Sequence, residues 1–272
     1  MDYLPPPEPH EPAPPPARRT PTSALGAALA AALAFLLKFK LLLLVGLKLL
    51  APSWTFLLTL WIYVVIFGWR LAVVVILLLL AHELGHYFAF RAYGLPARLP
   101  VFAVFGAFTA GAPPQNLEDD AHIALAGPLV GLGLAAACLA IGASRGDRFW
   151  YACADLSAFL NLFNMIPMPP FDGGRVVAAL WPPLWLVGIA LLLAFAFLFH
   201  VPIFFVILVA VLGLPSILAA LKGHVDPRSA SMTLAARVRV SLWYLATLLG
   251  LFVVLARAHA GAAAPATGGA IW

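Results

Sequence analysis

The sequence predicts an all-α polytopic membrane protein with about six to seven transmembrane helices and a short re-entrant β-hairpin or loop near a polar site. The composition is 64% hydrophobic and only 10% charged, with a mean hydropathy of +1.00. Soluble domains carry about 25% charged residues. Apolar runs of about 20 residues, the length that crosses a bilayer, recur along the chain. One of these runs leads into a cluster of ionisable residues at 82–86.

The N-terminal end differs in composition from the rest of the chain. Residues 1–22 contain nine prolines and are predicted to form a disordered arm. Residues 23–50 favour a helix that carries the lysines Lys38, Lys40 and Lys48. This helix either lies in the membrane interface or forms an additional membrane helix whose lysines reach the headgroups. The transmembrane domain is predicted at 51–258, and the Ala/Gly-rich residues 259–272 are predicted to be a flexible tail.

Seven apolar runs within the transmembrane domain are candidate spans. They cover 54–69, 71–91, 120–143, 149–167, 184–200, 203–221 and 240–257. If the N-terminal arm is cytoplasmic and 23–50 does not cross, 12 of the 16 Lys and Arg residues face the cytoplasm, and the remainder are Arg70, Arg145, Arg148 and Arg257. This distribution satisfies the positive-inside rule. It predicts a multi-pass protein with residues 82–86 at the cytoplasmic end of their helix, and the membrane is expected to be a bacterial inner membrane.

A shorter segment at 97–111 is rich in aromatic and β-branched residues and lies between Pro96 and Pro113. It is short for a spanning helix, which favours a β-hairpin or a re-entrant loop beside the polar site. A simple interfacial loop with aromatic anchors is the alternative. The small residues that follow are expected to allow close helix packing and are given no chemical role: Ala126, Gly127, Pro128, Gly131 and Gly133.

Residues 82–86 read His-Glu-Leu-Gly-His and follow the apolar run 71–81. On a helix, this spacing places His82 and His86 one above the other on the same face. Two neutral imidazoles at this spacing are typical zinc ligands, and Glu83 beside them is placed to act as a general base. Ionisable residues inside apolar spans are costly and usually functional. We therefore predict a metal site at the end of this run.

A second polar segment, at 161–175, supplies a candidate third ligand. Its helix carries Asn161 and Asn164 towards the side of the histidine pair, so Asp172 is expected at the same depth. The two glycines after Asp172 are expected to permit a tight turn that aims its carboxylate at the metal. The alternative is an ordinary interfacial turn in which Asp172 bonds its own backbone.

Other acidic residues are weaker candidates for ligands. Glu118, Asp119 and Asp120 open a predicted helix, where carboxylates favour the helix dipole. Asp155 lies within a predicted span and is interpreted as a structural hydrogen-bonding group. The alternatives for Asp155 are that it contacts a metal ligand or that it lies on a path for water.

Together, the two polar segments resemble the site-2 protease family of intramembrane zinc metalloproteases, peptidase family M50. The resemblance covers roughly 54–222 and is carried by His-Glu-Leu-Gly-His at 82–86 and Asn-Met-Ile-Pro-Met-Pro-Pro-Phe-Asp-Gly at 164–173. It implies a single catalytic Zn²⁺ ion held by His82, His86 and Asp172. It further implies Glu83 as the catalytic base and Asn164 as the group that stabilises the oxyanion. Phe171 stands where the family usually has Leu, a change of volume that we expect to be tolerated.

The resemblance also implies an activity. Such an enzyme hydrolyses a peptide bond within or next to a transmembrane segment of a membrane-tethered substrate, in regulated intramembrane proteolysis. The implied partners are the lipid bilayer and a membrane-spanning protein, such as an anti-sigma-factor-like regulator. Many members carry PDZ or CBS domains, and this sequence is expected to be a compact form without either.

Two other functions could use the same residues. A metal-ion transporter or channel would use His82, His86 and Asp172 as a transit site, but polar residues should then continue to the other face of the membrane, and few do. A non-catalytic binding protein derived from a protease is disfavoured by the intact Glu83. The sequence has no basic tract or nucleic-acid motif, so no nucleic-acid partner is expected.

Overall fold

A computed structural model describes residues 21–103, 106–198, 200, 203–222 and 226–263. The chain forms two compact units, Met1–Ala51 and Pro52–Trp272. The described part of the first unit begins at residue 21 and is helical. Residues 1–20 of the predicted arm lie outside the described residues. The final helix runs to Ala263 and so includes the first residues of the predicted tail, whereas 264–272 lie outside the described residues. The polar site lies within the second unit.

The described residues are mostly helical. The α-helices are α1 (Pro21–Ala92), α2 (Leu117–Arg145), α3 (Arg148–Asn164), α4 (Asp172–Leu180), α5 (Trp185–Leu198), α6 (Ile203–Leu221) and α7 (Leu234–Ala263). Short 3₁₀ helices occur at Pro182–Leu184 and Pro227–Ser231. The strands β1 (Val101–Ala103) and β2 (Gly106–Phe108) form a small sheet between α1 and α2.

The predicted class, an all-α membrane protein, is confirmed. Within the described residues, three helices are long and apolar enough to cross a bilayer: Thr55–Ala92, Leu117–Arg145 and Leu234–Ala263. Two of the predicted spans fall within Thr55–Ala92 and are separated at Gly68, whose φ of 76° breaks the helical geometry. The apolar helices at Pro182–Leu198 and Val206–Ala219 are shorter.

The predicted hairpin is also confirmed. Strands β1 and β2 pair antiparallel, with Val101 opposite Phe108, and a further bridge joins Ala97 to Gly111. The ring of Phe102 packs edge-on against Phe56 of α1, with the ring centres 5.2 Å apart. This contact places the hairpin beside the part of α1 that precedes Gly68.

Helices α2, α3, α4 and α7 share one hydrophobic core. Its buried members include Ala121, Ala124, Leu125, Ala154, Ala158, Val176, Val177, Val240 and Leu251. Small side chains let these helices approach closely. The expected close packing is confirmed at Gly131, where a β-carbon would lie 2.1 Å from Asn161. It is wrong for Gly133, which faces open space because no described atom lies within 4 Å of a β-carbon there.

The segment after Asp172 differs from the tight turn expected from its glycines. Asp172 begins helix α4, and neither glycine has a positive φ. A β-carbon on Gly173 would lie 2.2 Å from the carbonyl oxygen of Met165, and one on Gly174 would lie 2.3 Å from the carbonyl carbon of Met168. The two glycines therefore allow α4 to pack directly on the backbone of the preceding loop.

The ends of α2 and α4 are held by polar contacts. Asn116 is the N-cap of α2, because its Oδ1 accepts a hydrogen bond of 2.8 Å from the backbone of Asp119. Asp120 also forms ion pairs with Arg175 of α4, at 2.6 Å, and with Arg228, at 3.4 Å. At the other end of α4, the guanidinium of Arg237 donates to the carbonyl oxygens of Ala179 and Leu180.

Candidate metal centre

Three side chains that were predicted to bind metal converge at one point. His82 Nε2 lies 3.0 Å from His86 Nε2 and 3.1 Å from Asp172 Oδ2. His86 Nε2 lies 3.2 Å from the same carboxylate oxygen. The histidines come from α1 and the aspartate from the first residue of α4, as the helical spacing and the shared depth predicted. Among the described residues, these three form the one group of His, Cys, Asp and Glu side chains close enough to hold a metal.

Hydrogen bonds on the far side of each ring fix the protonation of the two imidazoles. His86 Nδ1 lies 2.8 Å from the carbonyl oxygen of Ile123, which can only accept, so Nδ1 carries the proton. His82 Nδ1 lies 2.8 Å from Asn161 Oδ1, and Asn161 Nδ2 donates to the carbonyl oxygen of Ser157. This orientation of the amide makes Oδ1 the acceptor, so His82 is also protonated on Nδ1. Both Nε2 atoms therefore present lone pairs to the site.

This arrangement fits a zinc ion. Two Nε2 lone pairs and a carboxylate oxygen lie within 3.2 Å of one another, and without a cation they would repel. Ligands 2.0–2.1 Å from a tetrahedral zinc ion are separated by about 3.3 Å, close to the spacing observed. The three atoms thus match one face of a tetrahedron and leave the fourth position available.

Space for a metal is maintained by Gly127 of α2. A β-carbon at this position would lie 2.4 Å from His86 Nε2 and 2.8 Å from His82 Nε2. Gly85 of α1 has a similar role in packing, because its β-carbon would lie 2.7 Å from the carbonyl oxygen of Ala126. The two helices can therefore pass close to each other at the metal centre without covering the ligand atoms.

The charge of Asp172 suits a metal ligand. Burial on its own would raise the pKa of this carboxyl group, but the positive charge that the imidazoles of His86 and His82 carry when they are protonated outweighs burial and lowers the pKa below its ordinary value, and a bound cation in place of those protons would act in the same direction. Arg175 lies on the same helix, 4.0 Å from Asp172 Oδ1, and is itself paired with Asp120. The carboxylate is thus held in its ionised form, with one oxygen directed at the histidines.

A cleft of about 710 Å³ opens beside the ligands. Both residues predicted to be catalytic, Glu83 and Asn164, line it together with the three ligands. Glu83 is 8% exposed and lies one residue after His82 on α1. Strand β2 forms another part of the wall, and the hydroxyl of Thr109 donates to the backbone carbonyl of Glu83 over 3.0 Å. This hydrogen bond joins the hairpin to the part of α1 that carries the histidine pair.

The structure also assigns surroundings to residues that the sequence left open or without a role. Asp155 faces α7, where its Oδ1 lies 3.5 Å from Nδ1 of His259, and this oxygen makes no hydrogen bond within the described residues. The structural hydrogen bond expected of Asp155 is thus not made by Oδ1 within the described residues. Asn161, Gly127 and Thr109 all contact the site and were given no chemical role from sequence. Only the position of Asn161 in a polar segment pointed to it.

Comparison with known proteins finds a matching family for the segment that carries the histidine pair. Residues 70–147 match the model of peptidase family M50. This segment contains His82, Glu83 and His86 and ends before Asp172. No solved structure matches the chain.

The curated relatives that match the chain are named as zinc metalloproteases. The chain is 36% identical over 122 residues to Rip3 of Mycobacterium tuberculosis, named as a zinc metalloprotease, with 40% of this chain and 30% of the relative covered. It is 30% identical over 105 residues to the zinc metalloprotease MJ0392 of Methanocaldococcus jannaschii, covering 36% of this chain and 30% of the relative. The chain therefore spans about a third of the length of the curated relatives it matches. These matches support the resemblance at the first of the two motifs: the segment that carries the histidine pair is similar to peptidase family M50, the site-2 protease family, and to relatives named as zinc metalloproteases.

Proposed function

We propose that the protein is a zinc metalloendopeptidase that hydrolyses a peptide bond within or next to a transmembrane segment of a membrane-tethered substrate. The observation that carries this proposal is the convergence of His82, His86 and Asp172 on one point, with Glu83 beside them. The ligand set suits zinc and leaves a coordination position for a reacting group. The site is built on a helix, Thr55–Ala92, that is apolar and long enough to cross a bilayer.

The proposed chemistry is general-base hydrolysis. Zinc held by the three ligands would polarise the scissile carbonyl and lower the pKa of a water molecule to about 7. Glu83 accepts a proton from the attacking water and delivers it to the nitrogen of the leaving amine. Its burial and its position next to His82 keep this carboxylate at the site without using it as a ligand.

Asn164 is proposed to stabilise the charge that develops on the carbonyl oxygen. Its side chain lines the same cleft as Glu83 and Asp172. An amide N–H directed at an oxyanion in a buried site lowers the barrier by about 3–4 kcal/mol in hydrolases of other types. Asn164 lies at the end of α3, so the helix positions it at the depth of the ligands.

The hairpin is proposed to hold the substrate in an extended conformation. A peptide bond inside a helix is protected by its own hydrogen bonds, so the substrate must unwind before hydrolysis. Residues Gly106 to Thr109 line the cleft, and β2 pairs only with β1 within the described residues. Its remaining edge can pair with a substrate strand through main-chain hydrogen bonds.

The location and substrate class follow from the sequence as proposals. The proposed location is a bacterial inner membrane, and the Lys and Arg distribution supports an orientation with the metal centre towards the cytoplasm. The substrate would be a membrane-spanning regulator, such as an anti-sigma-factor-like protein, cleaved in regulated intramembrane proteolysis. This assignment rests on the resemblance to the family and not on a feature of the cleft.

Quantitative proteomics of membranes tests the proposal across all membrane proteins at once, so no substrate has to be chosen beforehand. Membranes from cells that express the wild-type protein are compared with membranes from cells that express Glu83→Gln. We expect a small set of single-span proteins to lose a fragment only with the wild type. A metal transporter would instead change the cellular metal content and leave the membrane proteins intact, which would contradict the proposal.

A further inference from the structure

Helix α3 carries two asparagines near the metal centre, and their surroundings differ. Asn164 lines the cleft, whereas Asn161 is 3% exposed and contacts a metal ligand. We propose that Asn161 is a positioning residue that fixes the tautomer and orientation of His82, so that His82 Nε2 remains available to a metal. This proposal rests on the zinc site proposed above and concerns a residue that does not itself touch the metal or the substrate.

The contact between the two side chains is buried and specific. His82 is 4% exposed, and its Nδ1–H donates to Asn161 Oδ1 over 2.8 Å. Asn161 Nδ2 in turn donates to the carbonyl oxygen of Ser157, one turn earlier in α3, also over 2.8 Å. The second hydrogen bond prevents the amide from turning its N–H₂ group towards His82. Only the oxygen can therefore face the imidazole.

The neighbouring helix is shaped to hold this amide in place. A β-carbon on Gly131 of α2 would lie within 2.2 Å of Asn161 Nδ2, Cγ and Oδ1, so a larger residue there would displace the amide. The hydroxyl of Ser157 donates to the carbonyl oxygen of Gly131 over 3.1 Å, which ties α3 to α2 at the same level. Asn161 therefore lies in a closely fitting space between α2 and α3. The hydrogen bond from Ser157 joins the two helices at the same level.

His82 depends on this amide in a way that His86 does not. His86 donates to a backbone carbonyl, that of Ile123, which no side-chain substitution removes. Without the Asn161 acceptor, His82 can move its proton to Nε2. This nitrogen is 3.1 Å from Asp172 Oδ2, so the new tautomer would donate to the carboxylate. Such a hydrogen bond would occupy His82 Nε2 and Asp172 Oδ2, so neither atom would be available to bind a metal.

The affinity of the purified full-length protein for zinc tests this inference, measured in detergent by competition with a chromogenic chelator. Loss of a partner that orients a ligand lowers metal affinity by about 10- to 100-fold. Asn161→Leu keeps the branched outline of the side chain and removes the acceptor, so we expect a loss in that range. Asn161→Asp restores an acceptor for His82 Nδ1–H, and we expect it to recover most of the affinity.

Asn164→Ala is the matched control, because it changes an asparagine of the same helix that lines the cleft. We expect it to keep the zinc affinity of the wild type while losing cleavage. A role for Asn161 that does not involve the acceptor predicts a different order, with Asn161→Leu at least as close to wild type as Asn161→Asp. That order would overturn the proposal.

Two further outcomes are also decisive. If Asn161→Leu does not fold, Asn161→Ala removes the acceptor without adding bulk near Gly131, and unchanged zinc affinity in that variant would overturn the proposal. If the wild type itself binds no zinc, the proposed zinc site fails and this inference fails with it. If the wild type binds zinc and the Leu variant binds it equally well, only the role of Asn161 fails.

Discussion

Gly127 of α2 faces His86 of α1 so closely that a β-carbon at this position would lie 2.4 Å from the Nε2 atom of the imidazole. Real β-carbons do not approach other atoms to this distance, so the imidazole and an alanine methyl group cannot both keep their positions. The conformation of Gly127 does not require glycine, since its φ is not positive. Glycine is needed here because the space beside the ligand nitrogens must remain open.

Gly127→Ala should therefore impair the metal centre. Misplacement of a metal ligand lowers metal affinity by about 10- to 100-fold. We expect the zinc affinity of this variant to fall at least that far, and cleavage to fall with it. Isothermal titration or chelator competition on the purified protein measures the change. Gly133→Ala, on the same helix, is the control, because a β-carbon there meets no described atom within 4 Å. Equal zinc affinity in both variants would show that the open space is not required.

Removal of the third ligand should also weaken metal binding. Asp172→Ala leaves two imidazole ligands and removes the negative charge that faces them. We expect zinc to dissociate during purification, as measured by elemental analysis of the protein in detergent. Asp155→Asn, an acidic residue on α3 that faces α7, should retain its zinc. Full zinc content in Asp172→Ala would exclude Asp172 as a ligand.

The hydrogen bond from Thr109 to the carbonyl of Glu83 should affect catalysis more than metal binding. Thr109→Val keeps the shape of the side chain and removes the donor. A hydrogen bond of this kind contributes about 0.5–1.5 kcal/mol, so we expect cleavage to fall by about 2- to 10-fold with zinc content unchanged. Thr109→Ser retains the hydroxyl and should stay near wild type. A loss of zinc in the Val variant would indicate that the hairpin supports the ligands instead.

Arg237 should matter for stability because it caps the helix that begins with Asp172. Its guanidinium donates to two carbonyl oxygens at the end of α4. Arg237→Met leaves these acceptors without that donor, and we expect the free energy of unfolding to fall by about 1–3 kcal/mol. Thermal unfolding in detergent measures the change. Arg239 lies on the same helix as Arg237 and forms an exposed ion pair with Glu118 of α2. Arg239→Met removes this ion pair and should change stability little.

The sequence predicted that His82, His86 and Asp172 converge because each lies in a pattern with a fixed geometric meaning. The i, i+4 spacing placed His82 and His86 on one face, and the lengths of the apolar runs brought Asp172 to the same depth. The helix after Asp172 was not predicted, because an Asp-Gly-Gly sequence favours a turn locally. It forms a helix in the structure because the glycines pack on the backbone of Met165 and Met168.

The partners of the ligands could not be predicted from the sequence. Asn161 meets His82 only through the relative rotation of α1 and α3, which depends on the whole helix packing. Gly127 looks like any other small residue of a membrane helix until the position of His86 is known. The order of the motifs thus predicted which side chains converge, and the helix packing determines how those side chains are held.

The most direct measurement of the central claim is the paired zinc content and cleavage activity of Glu83→Gln. Glu83 lies beside the ligands in the cleft and is not one of the three side chains that converge on the metal position. The proposed mechanism requires it only for proton transfer. We predict that the purified variant retains one zinc ion per protein and loses cleavage of the substrates identified in membranes. Cleavage at the wild-type rate by a zinc-loaded Glu83→Gln protein would contradict the account.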